Sequence, residues 1–183
     1  MPRNNAQAFP SKDRKPVNQQ ERLEMSGWIV GFTDGEGCFS VSLIRNATTK
    51  IGWQVFPEFV ITQGAKSRTA LEEIQTFFEC GRIYENRRYD NHREHLLRYC
   101  VRSLRELRER IIPFFQRYEL KTHKKNDFKK FCEIISLIEN GHHSTHEGVT
   151  KIAYHISEMN RKSKPKFLES SETTRRTLET EMI

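Results

Sequence analysis

No apolar run in this 183-residue chain approaches the length of a membrane-spanning helix, and none near the N-terminus forms a secretory core. Cysteine is sparse and scattered. Cys38, Cys80, Cys100 and Cys132 include no C-x-x-C pair. That excludes the dense disulfide framework of a small secreted domain and the paired spacing of a zinc site. Four structural thiols in a reducing compartment are expected. Hydrophobic residues make up only 36%, too few for a chain that is all core. These absences point to a soluble, intracellular protein with no membrane partner, built as one ordinary domain with polar ends.

Positive charge is abundant. The chain carries a formal +7 with 30% charged residues. Between Arg82 and Lys125 thirteen Lys/Arg face six Asp/Glu, so this one segment holds the whole net charge. Such a balance favours a polyanionic partner and shifts a plain solvated surface toward nucleic acid.

Residues 1–20 are polar and aperiodic, which predicts a disordered or draped arm, and residues 161–183 predict a loose tail with at most a short helix. The body, residues 21–160, is patterned. Residues 21–35 have helical spacing, with Met25, Trp28, Ile29 and Phe32 on one face. Residues 38–44 alternate as a strand, Phe39, Val41 and Leu43 against Ser40 and Ser42. Residues 53–62 form a second strand in which Pro57 marks a bulge or an edge. A helix follows over 67–78, then strands over 81–88 and 96–102. Ser103 with Glu106 makes a capping box for a helix ending before Pro113. A further helix spans 122–139, and Ser144 with Glu147 caps the last one, to about 160.

This order, αββαββα, predicts an α+β fold: a mixed or antiparallel four-stranded sheet with helices on one face. The other face stays open and carries polar and basic side chains, drawn from Ser40, Ser42, Arg45, Asn46, Asn86, Arg88 and Arg98. A curved sheet with such a face can read the DNA major groove. Arg82, Arg87, Arg88, Arg93, Arg98 and Arg102 mix base readers and phosphate clamps, which sequence does not sort.

The first helix carries the chemistry. Gly27, Gly31 and Gly35 are four apart and share one face. Each costs about 1 kcal/mol against alanine in a helix interior. Close approach of another backbone offsets that cost, although a glycine-rich helix end running into a turn is the alternative. Asp34 and Glu36 then crowd a helix C-terminus, where acids are unfavourable. A cation explains them better than stability does, and hard divalent ions take carboxylate and phosphate oxygens. Two copies packed through the glycine face would bring two Glu36 together at a two-fold axis.

Residues 29–37, Ile-Val-Gly-Phe-Thr-Asp-Gly-Glu-Gly, resemble the LAGLIDADG motif. Gly31, Asp34, Gly35 and Gly37 match it; Val30, Thr33 and Glu36 are variants. The likeness extends through the strand ending at Gln63, through Ile112-Pro113-Phe114-Phe115, through Tyr118 to Lys124, and through the helix beginning near His146. It implies a homing endonuclease with a curved, mainly antiparallel sheet forming a DNA-binding saddle.

The resemblance further implies these roles. Glu36 is a catalytic metal ligand, with the Gly35 carbonyl assisting. Gln63 positions the attacking water. Lys121 stabilises negative charge on the phosphate, with Lys124 and Lys125 near enough to replace it. Gly27, Gly31, Asp34 and Gly35 form the dimer contact, and Lys66 and Arg68 reach the active-site phosphates. The implied cofactor is Mg²⁺, with Mn²⁺ or Ca²⁺ able to substitute in binding. The implied partners are double-stranded DNA and a second copy of the chain, because only one glycine-acid helix is present. Intron RNA is a further partner if the chain acts as a maturase, and a non-cutting DNA-binding regulator of the same fold is the remaining alternative. A coding sequence inside a group I intron follows, in a bacterial or archaeal cytoplasm or in an organelle. His142, His143 and His146 match no strong zinc spacing.

Overall fold

The computed structural model describes residues 18–86, 95–159 and 166–168. Helix α1 spans Gln19–Glu36 and is capped by the Asn18 side chain, which accepts the Gln20 N–H. Two strands follow, β1 Gly37–Arg45 and β2 Trp53–Gly64, then α2 Arg68–Phe78, β3 Arg82–Asn86 and β4 Leu96–Val101. The rest is helical: α3 Leu104–Glu106, a π turn Leu107–Ile111, α4 Ile112–Arg117, α5 Lys124–Glu139 and α6 His146–Ser157.

The strands form one sheet in the order β1-β2-β4-β3, with every neighbouring pair antiparallel. Residues alternate between its faces. Phe39, Val41, Phe59, Ile61, Leu97, Tyr99 and Val101 point inward and are buried. Helices α1, α2 and α5 pack on that side. The core is aromatic. Phe39 alone meets Phe59, Phe115, Phe128 and Phe131 at ring-centre distances of 5.0 to 5.5 Å.

Six local expectations are corrected. In α1 the buried face is Ser26, Ile29, Val30 and Thr33, and Trp28 lies outward, stacked on Phe32. Pro113 does not end its helix, because the wider π turn before it carries the run into α4. The cap of α6 is Thr145, which accepts the Gly148 N–H, rather than Ser144. Helix α5 starts at Lys124, two residues later than expected. Residues 166–168 belong to the expected loose tail, yet Phe167 and Leu168 are buried with Trp53, Val149 and Ala153. Likewise residues 18–20 of the expected arm cap and open α1. The rest of the arm, residues 1–17, and most of the tail lie outside the described residues.

Other expectations hold. Ser103 accepts the Glu106 N–H as a cap. Pro57 pairs across to Val41, in the part of β2 that β4 does not reach, so its missing N–H faces an edge.

Phe39→Ala would empty the centre of the aromatic cluster. Unfolding in urea is expected to show a loss of about 3–5 kcal/mol. A loss under about 1 kcal/mol, an ordinary surface effect, would contradict this packing.

Candidate functional site

The C-terminal end of α1 is held by the chain that leads into α5. The Asp34 carboxylate accepts the Lys121 N–H at 2.7 Å, the Thr122 N–H at 3.3 Å and the Thr122 hydroxyl at 2.8 Å. Partial burial pushes this carboxyl up, but those bonds and nearby Lys124 outweigh it and hold it below its ordinary 3.8. Asp34 is therefore turned into its own protomer. Both of its oxygens take part in this intrachain tie, a role the sequence did not suggest.

Lys124 completes the tie. Its ammonium donates to the Thr33 carbonyl at 2.8 Å, in the last turn of α1. Burial pushes its pKa down, while Cys38, Asp34, Glu36 and Asp127 pull it back up, and the net shift is downward. A partly buried cation thus offsets the negative end of the helix and the acids gathered there. Lys121, by contrast, is bound to α1 through its backbone and its side chain is exposed. Sequence spacing allowed Lys124 only as a stand-in for Lys121; the structure puts its charge at the helix end.

Glu36 is the last residue of α1, exposed, and among the described residues no hydrogen bond or ion pair claims its carboxylate. Gly35 lies in the last turn, where a helix leaves carbonyls without donors of its own. Gly37 makes the exit to β1 possible: a Cβ there would lie 2.6 Å from the Thr33 side chain. Gln63 stands two residues beyond the Gly37–Ile61 pair, level with the end of α1. Lys66 and Arg68 follow at the same end of the sheet. Arg68 leans on Glu72 and Glu85.

These donors suit a hard divalent ion only in part. Among the described residues no three His, Cys, Asp or Glu cluster as a metal cage. A free carboxylate and a carbonyl fit an ion that takes most of its remaining ligands from water and phosphate, as Mg²⁺ does.

The glycine face of α1 is bare. A Cβ built on Gly27, Gly31 or Gly35 meets nothing within 4 Å. Leu23 and Trp28 beside them are 46% and 38% exposed. Among the described residues nothing accounts for three helix-weakening glycines on one open stripe.

The open face of the sheet carries Ser40 and Ser42 on β1, Asn86 on β3 and Arg98 on β4, as expected. Arg45 does not join them. It shares the parity of Phe39 and Val41, and its guanidinium sits 4.8 Å from the Trp53 ring centre. Asn46 serves the β1–β2 turn, bonding Gln54 and Thr48. Arg88 lies outside the described residues. Glu58 on this face had no expected role, and Arg102 was expected only as one of six unsorted DNA-contacting arginines; a cross-strand pairing brings the two together.

Comparison with known proteins agrees with this layout. A profile of the LAGLIDADG endonuclease family matches residues 29–135. The chain is 36% identical over 134 residues to "Probable intron-encoded endonuclease 2" of Neurospora crassa, covering 73% of this chain and 28% of that protein. It is 30% identical over 147 residues to "Homing endonuclease I-ApeII" of Aeropyrum pernix, covering 78% and 84%. Among solved structures it is similar to the homing endonuclease I-TnaI, at 37% identity and a TM-score of 0.72 over 81% of this chain and 96% of that one. It also overlays the I-SmaMI LAGLIDADG homing endonuclease bound to cleaved DNA, at 28% identity and a TM-score of 0.70, over 85% and 48%. The chain spans 25% to 29% of the length of the first three curated relatives.

Asp34→Asn should cost about 1–3 kcal/mol, because it removes the charge from three hydrogen bonds. The charge contributes fully above the ordinary 3.8, and its contribution fades as pH falls through the lower folded value. Thermal unfolding against pH should thus show a gap between the two proteins at neutral pH that closes below 3.8. A gap unchanged in acid would contradict the tie.

Proposed function

The chain belongs to the LAGLIDADG endonuclease family, and from that premise we propose that it is a homing endonuclease whose two identical copies together break both strands of a long, pseudo-palindromic DNA site. The observation that carries this reading is a coincidence on α1. An open glycine stripe runs down the helix, and an unclaimed carboxylate stands at its end.

Pairing two α1 helices through Gly27, Gly31 and Gly35 brings their backbones close and covers Leu23 and Trp28. A two-fold axis through that contact sets one Glu36 beside the other, one for each DNA strand. Glu36 and the Gly35 carbonyl would hold the metal, most simply Mg²⁺. When bound, such an ion activates water and stabilises the leaving oxygen in phosphodiester cleavage. Gln63 orients the attacking water from the end of β2. Lys124, with Lys121 at the rim, offsets negative charge on the phosphate. The strands run outward from this end, so their open face lies along each half-site. The basic balance of the chain draws the duplex in.

A coding sequence inside an intron is part of the proposal, since relatives carry the words "intron-encoded" in their names. Retained Glu36, Gln63 and Lys124 favour a cutter over a regulator, which has no use for them.

Glu36→Gln removes the charge and keeps the shape. Incubated in Mg²⁺ with randomised long duplexes, the wild type should yield double-strand breaks. The variant should cut about 100-fold or more slowly, while gel shifts show unchanged binding. Cleavage at the wild-type rate would refute the assignment.

A further inference from the structure

The open face holds one polar cluster that the catalytic end does not use. Glu58 lies midway along β2, and its side chain is only 12% exposed. Its two oxygens serve two different arginines. Arg98 donates through Nη2 at 2.7 Å to one, and Arg102 through Nε at 3.1 Å to the other. A carboxylate on a face meant for a polyanion is unfavourable, and two guanidiniums around it restore a net positive charge. The pairing offsets the cost of burying the Glu58 carboxylate, while the arginine side chains, 41% and 39% exposed, stay accessible to a ligand.

Arg102 is held further. Strand β4 lies between β2 and β3, and a ring from each neighbour flanks the guanidinium. Phe56 is 5.4 Å away and Tyr84 5.2 Å, measured to the ring centres. Glu58 occupies Nε, which leaves the two terminal amino groups of Arg102 unclaimed by it. Two parallel donors on a fixed plane match the O6 and N7 acceptors that guanine presents in the major groove. A phosphate contact needs no such orientation, because a mobile cation at the rim is enough. Glu58 itself, with one arginine on each oxygen, is poorly free to accept from a cytosine amino group.

We propose that Arg102 reads a guanine in each half-site and that Glu58 is the positioning residue that aims it, with Phe56 and Tyr84 restricting its plane. This rests on the DNA-cutting reading above and adds a specificity determinant to it.

The test selects bound duplexes from a randomised library with the full chain, with Arg102→Lys and with Glu58→Gln, at one salt concentration. The wild type should enrich a motif with a G·C pair at symmetric positions. Arg102→Lys keeps the charge and loses the fork, so that column should become degenerate while the others persist. Glu58→Gln should weaken the same column alone. A wrong pair there should cost the wild type about 5- to 150-fold in affinity. 7-Deazaguanine, which lacks N7, should cost the wild type part of that and Arg102→Lys none. An unchanged motif in Arg102→Lys overturns the inference and leaves the DNA reading standing. So does a column lost in Glu58→Gln and kept in Arg102→Lys, which would make Glu58 the reader of the cytosine. A wild type that enriches no motif overturns the DNA reading and this inference together.

Discussion

The rest of the site depends on how the C-terminal end of α1 is held. A helix end carries partial negative charge, and this one adds two acids. Left alone, it would repel itself and fray. Instead Asp34 spends its charge on the backbone entering α5, and Lys124 returns a cation to the Thr33 carbonyl. The division of labour follows. One acid fastens the helix to its own protomer, and Glu36, one turn edge further, stays free. A helix fastened from behind can offer its bare glycine face to a second copy without shifting its tip.

That anchor also sets the geometry of the sheet. Gly37 turns the chain from α1 straight into β1, and antiparallel pairing then sets Gln63 level with the helix end. Every strand runs away from or toward this point. On the proposed function, chemistry gathers at one end of the sheet and recognition runs along its open face. Glu58 stands five residues from Gln63 on β2, roughly 17 Å at about 3.3 Å per residue, and Arg98 reaches it from opposite Thr62. The cluster thus spans the sheet from beside Gln63 to Glu58 and Arg102, linked to the proposed cutting end through adjacent strands.

Much of this was legible in the residues. The element order, the four-residue spacing of the glycines and the split of Ser40 and Ser42 from Phe39 and Val41 are local periodicities, and each survived. What failed locally depended on competition between neighbours: Ser144 against Thr145 as a cap, or a π turn that lets Pro113 stay inside a helix. Arg45 was misplaced by one step of parity, which its stacking on Trp53 makes plain. The larger gaps are long-range. Asp34 finds its partners 87 and 88 residues away, Lys124 reaches back 91, and Arg102 meets Glu58 across 44. No spacing rule joins such pairs, and only folding brings them together.

The central claim is that the glycine stripe is vacant because a second copy fills it. Gly31→Leu tests this most directly, since the two levels of structure should respond in opposite directions. Within the protomer a side chain at Gly31 meets open space, so helix propensity should raise protomer stability by up to about 1 kcal/mol. Between protomers the same side chain should hold the backbones apart. Sedimentation equilibrium paired with urea unfolding should therefore find a dimeric wild type and a variant that is monomeric yet at least as stable as the wild-type protomer. A variant that remains dimeric, or a wild type that is itself a monomer at high concentration, would contradict the account.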